Sequence, residues 1–113
     1  IDFGDMVYTF QVVEPSVAMA YAALKHSDPY DVISNLLKGY HSVYPLRENE
    51  LGATIYLMCT RLCISVSMSA WRKKLFPNNA YLTISELPAW GLLKNMQKED
   101  LGEWSDRLIQ YAK

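Results

Sequence analysis

The chain has 113 residues, a mass of 13.0 kDa and a formal net charge of −1, which is one domain's worth of protein at most. Hydrophobic residues make up 50% and charged residues 20%, so the chain can bury a core and is neither disordered nor low-complexity. Eleven basic residues against twelve acidic ones leave no excess for phosphate backbones, which excludes a general nucleic-acid binder, and two cysteines cannot form a disulfide framework. The expected compartment is the reducing cytoplasm.

The chain opens Ile1-Asp2-Phe3-Gly4-Asp5, with no initiator methionine and no signal peptide. It reads as the middle of a longer protein, a fragment or processed piece. The partial alternation of Ile1, Phe3, Met6, Tyr8 and Phe10 predicts a short strand end and a turn. Glu14-Pro15 opens the first helix, with Pro15 at the first position, where a missing N–H costs nothing. Val17 to Leu24 carry no charge, so this helix is expected to be buried nearly all round. Asp28 caps a second helix, Pro29 begins it and Asp31 sits in its first turn. Val32, Ile33, Leu36, Leu37, Tyr40, Val43 and Tyr44 recur at helical spacing, and Pro45 marks the end.

A third helix runs from about Arg47 to Lys74. Glu48 and Glu50 open it and Arg72, Lys73 and Lys74 close it, which suits the helix dipole. Leu51, Ile55, Met58, Leu62 and Val66 form one apolar face, and Leu57, Ile64 and Met68 form another, so the helix is expected to be central. Its apolar length reaches that of a membrane span, but Gly52, three serines and a central Arg61 speak against one. Phe76-Pro77-Asn78-Asn79 is a turn. The next helix starts from a capping box over Thr83–Glu86 or from Ser85 before Pro88, and carries Ala89, Trp90, Leu92, Leu93 and Met96. The tail places Leu101, Trp104, Leu108 and Tyr111 on a last helix. The fold is therefore mainly α, a single segment over 1–113 with about five helices and at most a short strand or hairpin at the start.

Asp2-Phe3-Gly4 carries the sharpest chemical signal. An aspartate at a tight glycine turn presents its carboxylate to a hard cation such as magnesium on nucleotide phosphates; a plain turn aspartate is the other reading. Cys59 and Cys63, with His26 and His41 elsewhere, lack the spacing of a zinc site and are expected to be buried, inert thiols. Arg61 is the only charge between Leu51 and Ala70. It is expected to be buried and paired, with Glu14 or Asp5 as a structural ion pair, or with the carboxylate of an amino-acid substrate.

IDFGDMVY at 1–8, the E-x-x-x-A-x-A-Y-A helix from Glu14 and GYHSVYPL at 39–46 carry a family resemblance. It continues through TRLCISV at 60–66 and YLTISELPAWGLL at 81–93. Over residues 1–97 the chain resembles the aminoglycoside phosphotransferase-like kinase superfamily, above all hydroxylysine kinases and the phosphotransferase domains fused to class III aminotransferases. The last sixteen or so residues add little to the likeness. It implies the end of the C-terminal lobe of a protein-kinase-like fold, with the nucleotide-binding N-lobe and the catalytic loop absent from these residues. The parent would be a magnesium-dependent, ATP- or GTP-using kinase acting on a small molecule, and this piece alone would be inactive.

By that likeness Asp2 is the metal ligand, with Asp5 a candidate to assist. Glu14 anchors the backbone of the missing catalytic loop, where buried N–H groups need an acceptor. Arg61, Trp71, Tyr81 and Trp90 are substrate-pocket candidates, the aromatics offering ring faces to a cationic amine. The partners are a small-molecule substrate and the missing N-terminal part of the domain, with no nucleic acid and no membrane. If the parent is an aminotransferase fusion, its pyridoxal-phosphate lysine lies outside this chain. The rival reading is a non-catalytic helical module for binding or assembly.

Overall fold

The computed structural model describes residues 10–78 and 86–113. The opening strand, the Asp2-Phe3-Gly4 turn and the caps at Thr83 and Ser85 lie outside them. Among the described residues there are five helices and no strand, as the periodicity predicts: α1 Val13–Ala22, α2 Pro29–Val43, α3 Glu48–Leu75, α4 Glu86–Gln97 and α5 Leu101–Ala112. Helix α3 packs against α1, α4 and α5, while α2 closes the group by packing on α1 and α5.

Helix α1 begins two residues earlier than Pro15 alone suggests, with Val13 at its first position. Pro15 falls third, still among the N–H groups that have no helical acceptor. Its neighbour Ser16 is buried and donates its hydroxyl to the Val12 carbonyl at 2.7 Å. Burial is one-sided, which corrects the expectation of a helix enclosed all round. Pro15, Ser16, Met19 and Ala20 point inward while Ala18 and Tyr21 are exposed. Among the described residues, α2 and α3 are the helices that pack closely on it, and two neighbours cannot cover its full circumference.

Helix α2 follows its capping signals. The Asp28 carboxylate accepts from the Asp31 N–H at 3.2 Å, and Pro29 occupies the first position. Ile33 and Leu37 are fully buried, but Val43 and Tyr44 at its end face solvent. Gly39 lies inside this helix, and a Cβ there would meet nothing within 4 Å. Gly39→Ala should therefore raise stability by about 1 kcal/mol, the difference in helix propensity. A higher urea midpoint with an unchanged slope is the expected observation.

In α3 the first apolar face is the core itself: Leu51, Ile55, Met58, Leu62 and Val66 are all buried. The Glu50 carboxylate reaches back to accept from the Arg47 N–H at 3.0 Å; the reciprocal half of a capping box is not made, because an arginine side chain has no acceptor. The second face is largely uncovered. Leu57 is half-buried, whereas Ile64 and Met68, with Trp71 and Leu75 further along, are exposed. By length and composition α3 is apolar enough to cross a membrane, yet its Leu51–Val66 stripe is what the other helices pack on.

Helix α4 buries Ala89, Leu92 and Met96 and leaves Trp90 outward. Helix α5 is capped by Asp100, whose carboxylate accepts from the Glu103 N–H at 3.2 Å. It buries Trp104, Leu108 and Ala112, with Tyr111 at the surface. Gly52 of α3 lets α5 come close: the Ser105 hydroxyl donates to the Gly52 carbonyl at 2.8 Å.

Candidate functional site

Glu14 sits in the first turn of α1 and is exposed. Its carboxylate accepts from the Tyr40 hydroxyl at 3.3 Å, which ties α1 to the end of α2. The same stretch holds the α2–α3 connection: His41 Nδ1 accepts from the Leu46 N–H at 2.9 Å, which requires an unprotonated nitrogen there, and Leu46 is buried. Tyr40 and Tyr44 pack ring against ring at 5.9 Å. The GYHSVYPL motif thus ties α1 to α2 and pins the connection that leads to α3.

Arg61 does not make the expected ion pair with Glu14. Its guanidinium donates to the Tyr21 hydroxyl at 3.1 Å and lies 5.7 Å from that ring's centre. Glu14 and Tyr21 are seven residues apart on α1, about 10 Å along the helix, so an arginine meeting Tyr21 is two turns from Glu14. No carboxylate pairs with Arg61 among the described residues, and its buried Nε has no hydrogen-bond partner there. Asp2, Asp5 and Tyr81 lie outside the described residues.

The remaining pocket candidates do not converge. Trp90 lines an apolar cavity of about 320 Å³ together with Cys59, Cys63, Leu93, Met96 and Leu101. Cys59 and Cys63 are one turn apart on α3, and Arg61 between them points to the opposite side of the helix. Trp71 stands exposed about 15 Å further along α3. Arg61, Trp71 and Trp90 therefore form no common pocket. Among the described residues no three potential metal ligands cluster.

The two thiols differ, which corrects the expectation that both are buried: Cys59 is half-buried and Cys63 exposed. Burial, and then the neighbouring Cys63, push the Cys59 thiol up to about 11 from 9.0. The folded state thus favours the protonated thiol. Its contribution to stability is complete below 9.0 and is lost as pH rises through about 11. Near pH 8 Cys59 should carry about 100-fold less thiolate than an ordinary cysteine. Brief iodoacetamide treatment should label Cys63 and spare Cys59; peptide mapping that finds both labelled equally would contradict the shielding.

Sequence reasoning undervalued the tail. Tyr30 meets Trp104 edge-on at 5.1 Å, and the Arg107 guanidinium lies 4.3 Å from the Tyr30 ring centre. The Tyr111 hydroxyl donates to Asn35 at 2.6 Å. Their helical spacing was visible; their partners, some 75 residues back in the chain, were not. A cavity between the α1–α2 connection and α4, about 560 Å³ in volume, was also missed, because its walls come from distant segments.

The described residues thus define a helical bundle that offers surfaces and clasps but no assembled set of catalytic groups. Comparison with known proteins finds similarity to hydroxylysine kinases. The chain is 35% identical over 97 residues to hydroxylysine kinase of Bos taurus, covering 85% of this chain and 26% of that protein. It is 35% identical over 104 residues to the Mus musculus protein of the same name, covering 91% and 27%. The Xenopus laevis hydroxylysine kinase is 29% identical over 104 residues, with the same coverage. The chain spans about a quarter of the length of these curated relatives. No family model and no solved structure matches it. The likeness to hydroxylysine kinases read from the sequence is borne out, and it extends into the tail, since 104 residues align.

Proposed function

We propose that this chain is the C-terminal-lobe portion of a cytoplasmic small-molecule kinase. The whole enzyme would transfer the γ-phosphoryl group of ATP or GTP to a hydroxyl of an amino alcohol or amino acid, and the relatives' name makes hydroxylysine the first substrate to try. The observation that carries this reading is the 35% identity over 97 residues to a protein named hydroxylysine kinase, of which they are only 26%. In this reading Asp2, with Asp5 as an assistant, would hold Mg²⁺, and Glu14 would anchor the catalytic loop. Trp71, Tyr81, Trp90 and Arg61 would contribute to recognition singly, since Arg61, Trp71 and Trp90 share no pocket.

Phosphoryl transfer needs the phosphates, the metal and the attacking hydroxyl held together. The 113-residue chain on its own is therefore expected to be inactive, whereas the longer polypeptide is expected to consume nucleotide when given 5-hydroxylysine. A coupled assay on both, with a panel of amino alcohols and with ATP and GTP, tests this. Turnover by the purified 113-residue chain would overturn the partial-lobe reading. Failure of the longer polypeptide on the whole panel would favour a non-catalytic module.

A further inference from the structure

The 560 Å³ cavity has a charge opposite in sign to that of the chain as a whole. Its walls are the α1–α2 connection, with Lys25, His26 and Ser27, and the end of α4, with Lys94, Asn95 and Lys98. Among the described residues no aspartate or glutamate lines it, and Asp28 and Glu99 line the adjoining hollow that shares Ser27, Asn95 and Lys98 with it. Three of the seven lysines of a chain with net charge −1 thus face one concavity. None has a carboxylate partner among the described residues, where the recorded ion pair is Lys113 with Glu48. Like charges gathered around one space repel, and all three lysines are exposed.

We propose that this cavity binds a small organic phosphate. Three ammonium groups suit the two negative charges of a phosphate ester better than the single charge of a carboxylate, and lysine acts on phosphate as a point charge. Ser27 and Asn95 add a hydroxyl and a carboxamide for the ligand's polar groups. Ala23 and Leu92, both buried, with Pro29 and Pro88, give an apolar wall for its carbon skeleton. The volume lies within the ordinary range for small-molecule sites and far exceeds what inorganic phosphate alone fills. A nucleic acid would need an extended basic surface, which a chain of this charge balance lacks. The proposal does not depend on the kinase reading.

The test titrates the 113-residue chain with ribose 5-phosphate, phosphoserine and AMP, and separately with inorganic phosphate, sulfate and a single-stranded oligonucleotide. Calorimetry gives affinity, and backbone amide shifts give location. The esters are expected to bind more tightly than the inorganic ions and to move the amides of residues 25–27 and 94–98. Raising the salt should weaken binding. The variant Lys94→Glu/Lys98→Glu, at exposed positions, should lose at least about tenfold in affinity, while Lys73→Glu/Lys74→Glu on α3 should not. Mapping the unaltered chain requires no variant to fold. Four results would overturn the proposal: no amide shifts with any ester up to about 10 mM, sulfate binding as tightly as the esters, affinity unchanged in the α4 variant, or tight binding by the oligonucleotide alone.

Discussion

Asp2→Asn in the longer polypeptide should cut phosphoryl transfer by more than about 100-fold while leaving its folding unchanged. In the kinase reading the Asp2 carboxylate would help hold magnesium beside the nucleotide, and asparagine would keep the shape while removing the charge that binds a hard cation. Raising magnesium should restore little, since asparagine is a neutral and weaker oxygen ligand. Steady-state nucleotide consumption across a magnesium series, alongside a thermal melt, separates the metal role from a structural one. Near-full activity at saturating magnesium would return Asp2 to being a turn residue.

Gly52→Val should lower stability by about 2–4 kcal/mol. A Cβ at position 52 would stand 3.0 Å from the Ser105 hydroxyl oxygen and 3.2 Å from the Ile109 side chain. The Cβ alone asks the Ser105 and Ile109 side chains to give by a few tenths of an ångström, and the two methyl groups of valine add to that crowding and strain the hydrogen bond from Ser105 to the Gly52 carbonyl. Chemical denaturation checks the size of the loss. The contrast with Gly39, where added bulk meets nothing and alanine should stabilise, makes the pair a test of the α3–α5 approach rather than of glycine in helices generally.

These two glycines also show where reading a sequence stops. The signals that came through were local. Asp28-Pro29 announces a helix start because a cap and a fixed φ act within one turn. The Leu51-Ile55-Met58-Leu62-Val66 stripe announces a core because its period is that of the helix. The partners of Glu14 and Arg61 did not come through. Each found a tyrosine on another helix, Tyr40 and Tyr21, where an acid–base pair was expected. Charge type alone gives no distance, and the two-turn offset on α1 exists only once the helices are packed. The lysine-lined cavity was hidden for the same reason, its halves lying about 70 residues apart in the chain. Gly39 and Gly52 look alike in the sequence, and only the neighbouring helix makes one open and the other crowded.

The outer side of α3 has a consequence for anyone producing the chain alone. From Leu57 through Ile64, Met68 and Trp71 to Leu75 the apolar positions follow helical spacing for about 27 Å, and the last four are 41–57% exposed. Large contiguous apolar surface is what chaperones retain and what drives association at working concentrations. The bundle has its caps, its core and its clasps in place, yet a cell's quality-control machinery inspects surfaces and not cores. Made by itself, a correctly folded chain would still present the credentials of an unfinished one, and its yield would be set by how long it goes unrecognised.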